Sequence, residues 1–186
     1  TQFPVVKDQP MPSRMRVAPE SLSEVAGPLT EAPLLKARVT ALLVLSQVDS
    51  DRVAAASESM LFSGEPIQRL EGAYLLGYLA GPESAGALSE MARHDADPDV
   101  RCQAVKSLAR QPERLGLERL LSLLSAPDGR VVRMVARALP LMDPASLPAV
   151  VSGLEKAIQA ATSGSLKAVL LRSVGMAAGR MPGSPV

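Results

Sequence analysis

The sequence predicts an all-α chain, an α-solenoid (superhelix) of about four and a half two-helix repeats. Three observations carry that expectation. Apolar residues recur at helical spacing through most of the chain, and strand-like alternation is absent. A basic residue returns at Arg38, Arg69, Arg101, Arg133 and Lys167, in steps of 31, 32, 32 and 34. Each is followed at +3 by a small or apolar residue and at +7 by another partner: Ala41 and Leu45, Gly72 and Leu76, Ala104 and Leu108, Ala136 and Pro140, Leu170 and Val174. Self-similarity at such a period is the mark of stacked helical units, none of which buries its apolar faces alone.

The elements follow in order. Residues 1–33 hold Pro4, Pro10, Pro12, Pro19, Pro28 and Pro33, a density that forbids a long helix. We read 1–17 as an extended arm and Pro19–Ala26 as a short helix ended by Gly27-Pro28, so that 1–30 form a Pro-rich N-terminal region. The solenoid spans 31–180, and 181–186 form a tail. A helices are expected at about 33–47, 66–80, 98–111, 129–142 and 165–179, and B helices near 50–62, 83–94, 113–125 and 145–161. A second apolar series, Ala56, Leu88, Leu120 and Val151, marks the B helices at steps of 32, 32 and 31. Pro33, Pro66 and Pro98 open A helices and Pro82, Pro112 and Pro144 open B helices, at the first turn, where a missing N–H costs nothing. Asp97 and Asp143 stand where N-caps belong. The small residue at +3 is expected to let neighbouring A helices approach, with the residue at +7 filling the seam.

Composition narrows the function. With 20 basic and 19 acidic residues the chain carries a formal charge of +1, unlike a strongly basic nucleic-acid binder. At 47% hydrophobic but 2% aromatic, with no Trp, its core must be built from Leu, Val, Ala and Met. A single cysteine, Cys102, excludes an internal disulfide framework, and a single histidine, His94, leaves little material for a metal site. No apolar run is long enough to span a membrane; Arg38 and Gln47 interrupt the best one. Gly-rich phosphate loops, G-x-S-x-G and H-E-x-x-H are missing, so neither a catalytic site nor a cofactor is expected. The chain begins at Thr1 with a Pro-rich arm, which suits a membrane-tethered extracytoplasmic domain and equally a trimmed cytoplasmic one.

The run Asp97-Pro-Asp-Val-Arg-Cys-Gln-Ala-Val-Lys-Ser-Leu108 resembles the inter-repeat turn and A helix of a HEAT repeat. The period of about 32 is similar to the short bacterial HEAT-like class, which includes the phycobilin lyases. The resemblance implies a structural ladder in which Arg38, Arg69, Arg101 and Arg133 tie successive repeats through Asp97, Asp99 or Asp128. The alternative is that these arginines bind an anionic ligand. It further implies a concave surface lined by B helices, whose polar residues Glu90, Arg93, Glu113, Arg114, Glu118 and Arg119 have no stacking job and are free to bind a partner. The function expected is a non-catalytic protein–protein interaction scaffold. A ligand- or chromophore-handling lyase-type domain is the alternative, and a nucleic-acid-contacting solenoid a third reading. The low aromatic content supplies both poorly.

Other features have two readings each. Asp95-Ala-Asp-Pro-Asp99 opens like a calcium loop, but Val100 and Lys106 replace the required Gly and Glu, which favours a capped inter-repeat turn. His94 is either half of an acid–base pair or a solvated residue at a helix C-terminus. Tyr74 and Tyr78, at i and i+4, either stack a ligand or half-fill the core. Arg130, Arg133 and Arg137 form a basic strip, and residues 101–137 hold eight basic against three acidic residues, a solvated face or an acidic partner's groove. Cys102 beside Arg101 admits a lowered thiol pKa, although a redox role is not expected of it. The last helix is apolar nearly all round (Leu166, Val169, Leu170, Leu171, Val174, Met176), a face to be covered by the Pro-rich arm, by a partner protein or, the reading favoured, by a second copy through self-association of the C-terminal repeat.

Overall fold

The computed structural model describes residue 26, residues 35–45 and residues 49–181, with side chains 35–39 and 50 outside the description. The extended arm, most of the short helix 19–26 and the tail therefore lie outside the described residues; Ala26 itself is helical and buried. The described residues form an α-solenoid without strands. Its A helices are α1 (Leu35–Leu45), α3 (Pro66–Leu76), α5 (Pro98–Leu108), α7 (Gly129–Ala138) and α9 (Gly164–Gly179). Its B helices are α2 (Ser50–Leu61), α4 (Pro82–His94), α6 (Glu113–Leu123) and α8 (Leu147–Ala160).

Local chemistry explains the boundaries. Pro66, Pro82 and Pro98 sit in first turns, where their rings pre-set the helical φ. Asp97 accepts hydrogen bonds from the N–H groups of Asp99 and Val100 and so caps α5, and Asp143 accepts from Ala145. Asp49 caps α2 in the same manner, through the Arg52 N–H. Several A helices end earlier than the apolar period suggests. Pro140 has no N–H to donate, so α7 tightens into a 3₁₀ turn at Leu139–Leu141.

Successive A helices pack side by side, α1 on α3, α3 on α5, α5 on α7 and α7 on α9, and each repeat's first helix also packs on the B helix before it. The main core joins Leu88, Leu108, Leu120, Leu123, Val135, Leu139, Leu147, Leu154 and Leu170, all fully buried. A smaller N-terminal cluster joins Ala26, Ala41, Leu42, Leu45, Val53 and Leu75, and Leu79 packs against both. Burying one such leucine is worth about 1.5–3 kcal/mol, so stacking supplies most of the stability.

The role expected for Gly72 is corrected. A Cβ there would lie 3.0 Å from Leu61 Cδ2, Met60 Cβ and the Ser57 carbonyl oxygen, so the small residue at +3 admits the preceding B helix, not the neighbouring A helix. Close A–A approach occurs instead at Gly77, where a Cβ would stand 2.9 Å from Ser107 Cβ. Gln111, which sequence reasoning passed over, is buried between repeats; its amide donates to the Leu76 and Leu79 carbonyls at 2.8 and 3.2 Å and accepts from the Gly81 N–H at 3.3 Å. It thereby satisfies the Leu79 carbonyl beyond the end of α3 and gives the Leu76 carbonyl a second donor beside the Leu79 N–H.

Gly116 is the tightest backbone contact of the third repeat. A methyl group there would meet the Leu108 carbonyl oxygen at 2.8 Å, with only main chain to yield. Gly116→Ala is expected to cost about 1–3 kcal/mol by overpacking. Gly86→Ala, in open space on α4, should be neutral or stabilising by up to about 1 kcal/mol. Denaturant unfolding of both variants checks the pair.

Candidate functional site

Two arginines tie the repeats together. The Arg69 guanidinium donates from Nε and Nη2 to the two carboxylate oxygens of Asp95 at 2.9 and 3.0 Å, while Nη1 donates to the Ser63 and Gly64 carbonyls. Arg101 repeats the pattern one unit on. Its Nε and Nη2 donate to Asp128 at 2.9 and 2.6 Å, and its Nη1 to the Asp95 and Ala96 carbonyls at 2.6 and 3.1 Å. Each guanidinium thus satisfies the turn before its own helix and the acid of the next junction.

Two expected members of the ladder are corrected. Asp97 pairs with no arginine, because both its cap hydrogen bonds go to the N-terminus of α5; the partner of Arg69 is Asp95, two residues earlier. A signal was present, since Asp95 follows Arg69 by 26 residues and Asp128 follows Arg101 by 27. Arg133 makes no ion pair or hydrogen bond among the described residues, because the corresponding turn, Ala160-Ala161-Thr162-Ser163, carries no carboxylate. The Arg38 side chain lies outside the described residues.

The electrostatics follow the geometry. Burial alone would raise both carboxyls, but for Asp95 the Arg69 guanidinium and the Asp97 N–H outweigh it. For Asp128 the Arg130 N–H and Arg101 do the same, and both acids are held below the usual carboxylate range. Cys102 is the reverse of the expectation. Burial, then Asp128 and Asp99, push its thiol above the ordinary value despite neighbouring Arg101, so it is a poor nucleophile at neutral pH.

The six B-helix residues divide. Glu90, Arg114 and Glu118 are exposed, and His94, also exposed, stands 3.8 Å from Glu90. The other three have structural jobs, contrary to the expectation that all were free. Arg93 donates to Ser122 Oγ at 2.9 Å and joins α4 to α6; Glu113 accepts from the Asp143 N–H at 3.3 Å; Arg119 donates to the Leu115 carbonyl of its own helix. A polar cleft of about 540 Å³ gathers Glu113, Arg114, Leu117 and Glu118 with Asp143 and Ser146.

Sequence reasoning missed two apolar grooves between B helices. One, of about 560 Å³, lies between α6 and α8 over Leu121, Leu124, Gly153 and Ala157, with Lys156 among its lining residues. The other, of about 400 Å³, lies between α2 and α4 over Leu61, Leu76 and Ala87, with Phe62 83% exposed at the end of α2. Between them α4 and α6 pack directly. Tyr74 and Tyr78 are engaged with each other, hydroxyl to hydroxyl at 3.0 Å and edge to face, with the Arg110 guanidinium 5.1 and 5.4 Å from the two ring centres. That hydrogen bond, with burial, raises the Tyr74 phenol pKa.

The ladder generates two expectations. Arg101→Ala strands a half-buried Asp128 and two turn carbonyls, and should cost about 1–3 kcal/mol in thermal unfolding. Because Asp95 and Asp128 have depressed folded-state pKa values, their contribution is fully present above the ordinary carboxylate value of about 4 and is lost as pH falls through the lower folded value. An Asp95→Asn/Asp128→Asn double variant should therefore be less stable at neutral pH and show a shallower acid limb in denaturant midpoints.

The family model described as HEAT repeats matches residues 85–175. Among solved structures, the crystal structure of an engineered protein is similar at 18% identity and a TM-score of 0.47, over 87% of this chain and 81% of that one. No curated protein matches the sequence. HEAT repeats generally lack catalytic activity and commonly serve as protein-interaction scaffolds. From α4 to α9, residues 85–175 match the HEAT-repeat family model.

Proposed function

We propose that this chain is a non-catalytic scaffold that binds a protein partner on its B-helix face. The observation that carries the reading is the pair of apolar grooves flanking α4 and α6, one with Lys156 and the other with Glu58 and Glu83 among its lining residues, together with the polar cleft that holds exposed Arg114 and Glu118. Apolar anchors ringed by charged residues are the anatomy of a protein interface. The volumes suit side chains of a docked segment, and a solenoid presents such features along one continuous surface.

Of the six residues, Arg114 and Glu118 suit recognition best, because they are exposed and make no inter-repeat bond. Arg93, Glu113 and Arg119 support the surface from beneath. A photo-crosslinking residue at 114, 118 or 152 should capture the bound partner, whereas one at 106 or 172 on the A helices should not. Charge reversal at Arg114 and Glu118 together should reduce capture at least tenfold with helicity unchanged. Capture from the A-helix positions alone sinks the reading.

A second reading concerns the C-terminal repeat. In α9, Leu170, Ser173 and Ala177 are buried against α7 and α8, while Leu171 is 58% and Met176 49% exposed. We propose that this face self-associates end to end. Light scattering should show a concentration-dependent rise in mass for the chain that Leu171→Glu abolishes; equal masses at every concentration refute it.

A further inference from the structure

The ladder defines its own ligand. Asp128 does two jobs with one carboxylate: Oδ1 accepts from the Arg130 N–H at 2.8 Å, capping α7, and Oδ2 takes Nε and Nη2 of Arg101. At the next junction the helices recur without the acid. Arg133, half-buried, has no hydrogen-bond or ion-pair partner among the described residues. Ser163, at the N-cap position of α9, accepts no N–H from that helix, its hydroxyl being shared with Ser165 at 2.9 Å. Both jobs of Asp128 are thus unfilled at one place in the repeat.

The Arg133 guanidinium lies back over the first residue of its own helix, since a Cβ on Gly129 would stand 3.7 Å from Nη1. That is the side on which Arg69 and Arg101 grip their turns. Exposed Arg130, Arg137 and Lys167 accompany it, and neither α7 nor α9 contains an acidic residue. The junction carries positive charge with no acid of its own.

We propose that Arg133 is a carboxylate-recognition site, taking an Asp or Glu side chain of a protein partner as the third rung of the ladder. The proposal rests on the scaffold reading and adds a contact at the edge of the A layer, away from the B-face grooves. A planar guanidinium pairs with a carboxylate through two parallel N–H bonds, the arrangement Arg69 makes with Asp95. The occupant is therefore an acidic peptide segment.

The test uses the whole chain and a fluorescein-labelled peptide of six glutamates, read by anisotropy at low salt. Arg133→Gln should weaken binding about tenfold or more, the loss of roughly one charge-assisted pair, whereas Arg137→Gln should change it about twofold. Ser163→Asp, which supplies the acid from within, should raise the melting temperature by about 2–4 °C and weaken the peptide as much as Arg133→Gln does. The thermal gain should vanish when Arg133 is also Gln. Equal losses at 133 and 137, no binding by the parent chain, or no coupling between 133 and 163 overturns the proposal. Inorganic phosphate displacing the peptide at equal ionic strength better than acetate overturns the carboxylate assignment. Failure here with crosslinks at 114 and 118 intact leaves the B-face reading standing, and peptide binding with those crosslinks absent removes that reading alone.

Discussion

A helical hairpin with apolar residues on two sides has nowhere to put both of them except against copies of itself. Everything else in this protein depends on that constraint. Leu88 and Leu120, on successive B helices, share one core with Leu108 and Leu139 from the A side; that core runs through α3, α5, α7 and α9, and α1 joins the layer through the smaller cluster that Leu79 links to it. Aromatic residues are not needed, because leucine, valine and alanine fill a narrow seam between helices at close packing. The close approaches at Gly72, Gly77 and Gly116 show how little space the seam leaves.

Stacking by apolar contact alone does not set register, and polar groups at the junctions supply it. Arg69, Arg101 and Gln111 each reach across a junction while satisfying carbonyls that helix ends and turns would otherwise leave unpaired. Such groups are costly when half-satisfied and specific when complete. The contribution is directional: each arginine reads the acid of the following unit, so the order of repeats is written into the pairs. Where the acid is missing, beyond α8, the same logic leaves a cation without a partner among the described residues.

The two faces differ for the same reason. A helices touch their neighbours along the layer, and in the B layer α4 packs on α6, where Arg93 meets Ser122, while α8 approaches the α6 side chains at Gly153, where a Cβ would stand 2.7 Å from Leu121 Cδ2. On either side of α4 and α6 the B helices leave grooves lined by Leu61, Leu121 and Leu124. A surface with closed and open stretches offers a partner both apolar anchors and a polar rim.

Much of this was legible in the sequence. The 32-residue period, the prolines at first turns and the Asp97 and Asp143 caps are local signals, each acting within one helical turn, and so they placed the helices to within a few residues. The arginine series was visible too, but its acceptors were not, because Asp95, Asp97 and Asp99 differ only in which way a turn aims them. Asp97 spends its carboxylate on two N–H groups of its own helix, and Asp95, facing the neighbouring repeat, takes Arg69. The grooves between the B helices, the buried Gln111 and the engagement of Arg93, Glu113 and Arg119 likewise belong to tertiary structure alone. Sequence determined the repeat, its helices and its apolar faces, since these follow from spacing along one chain; the distances between repeats, which decide every pairing and every groove, are settled only when the helices are packed.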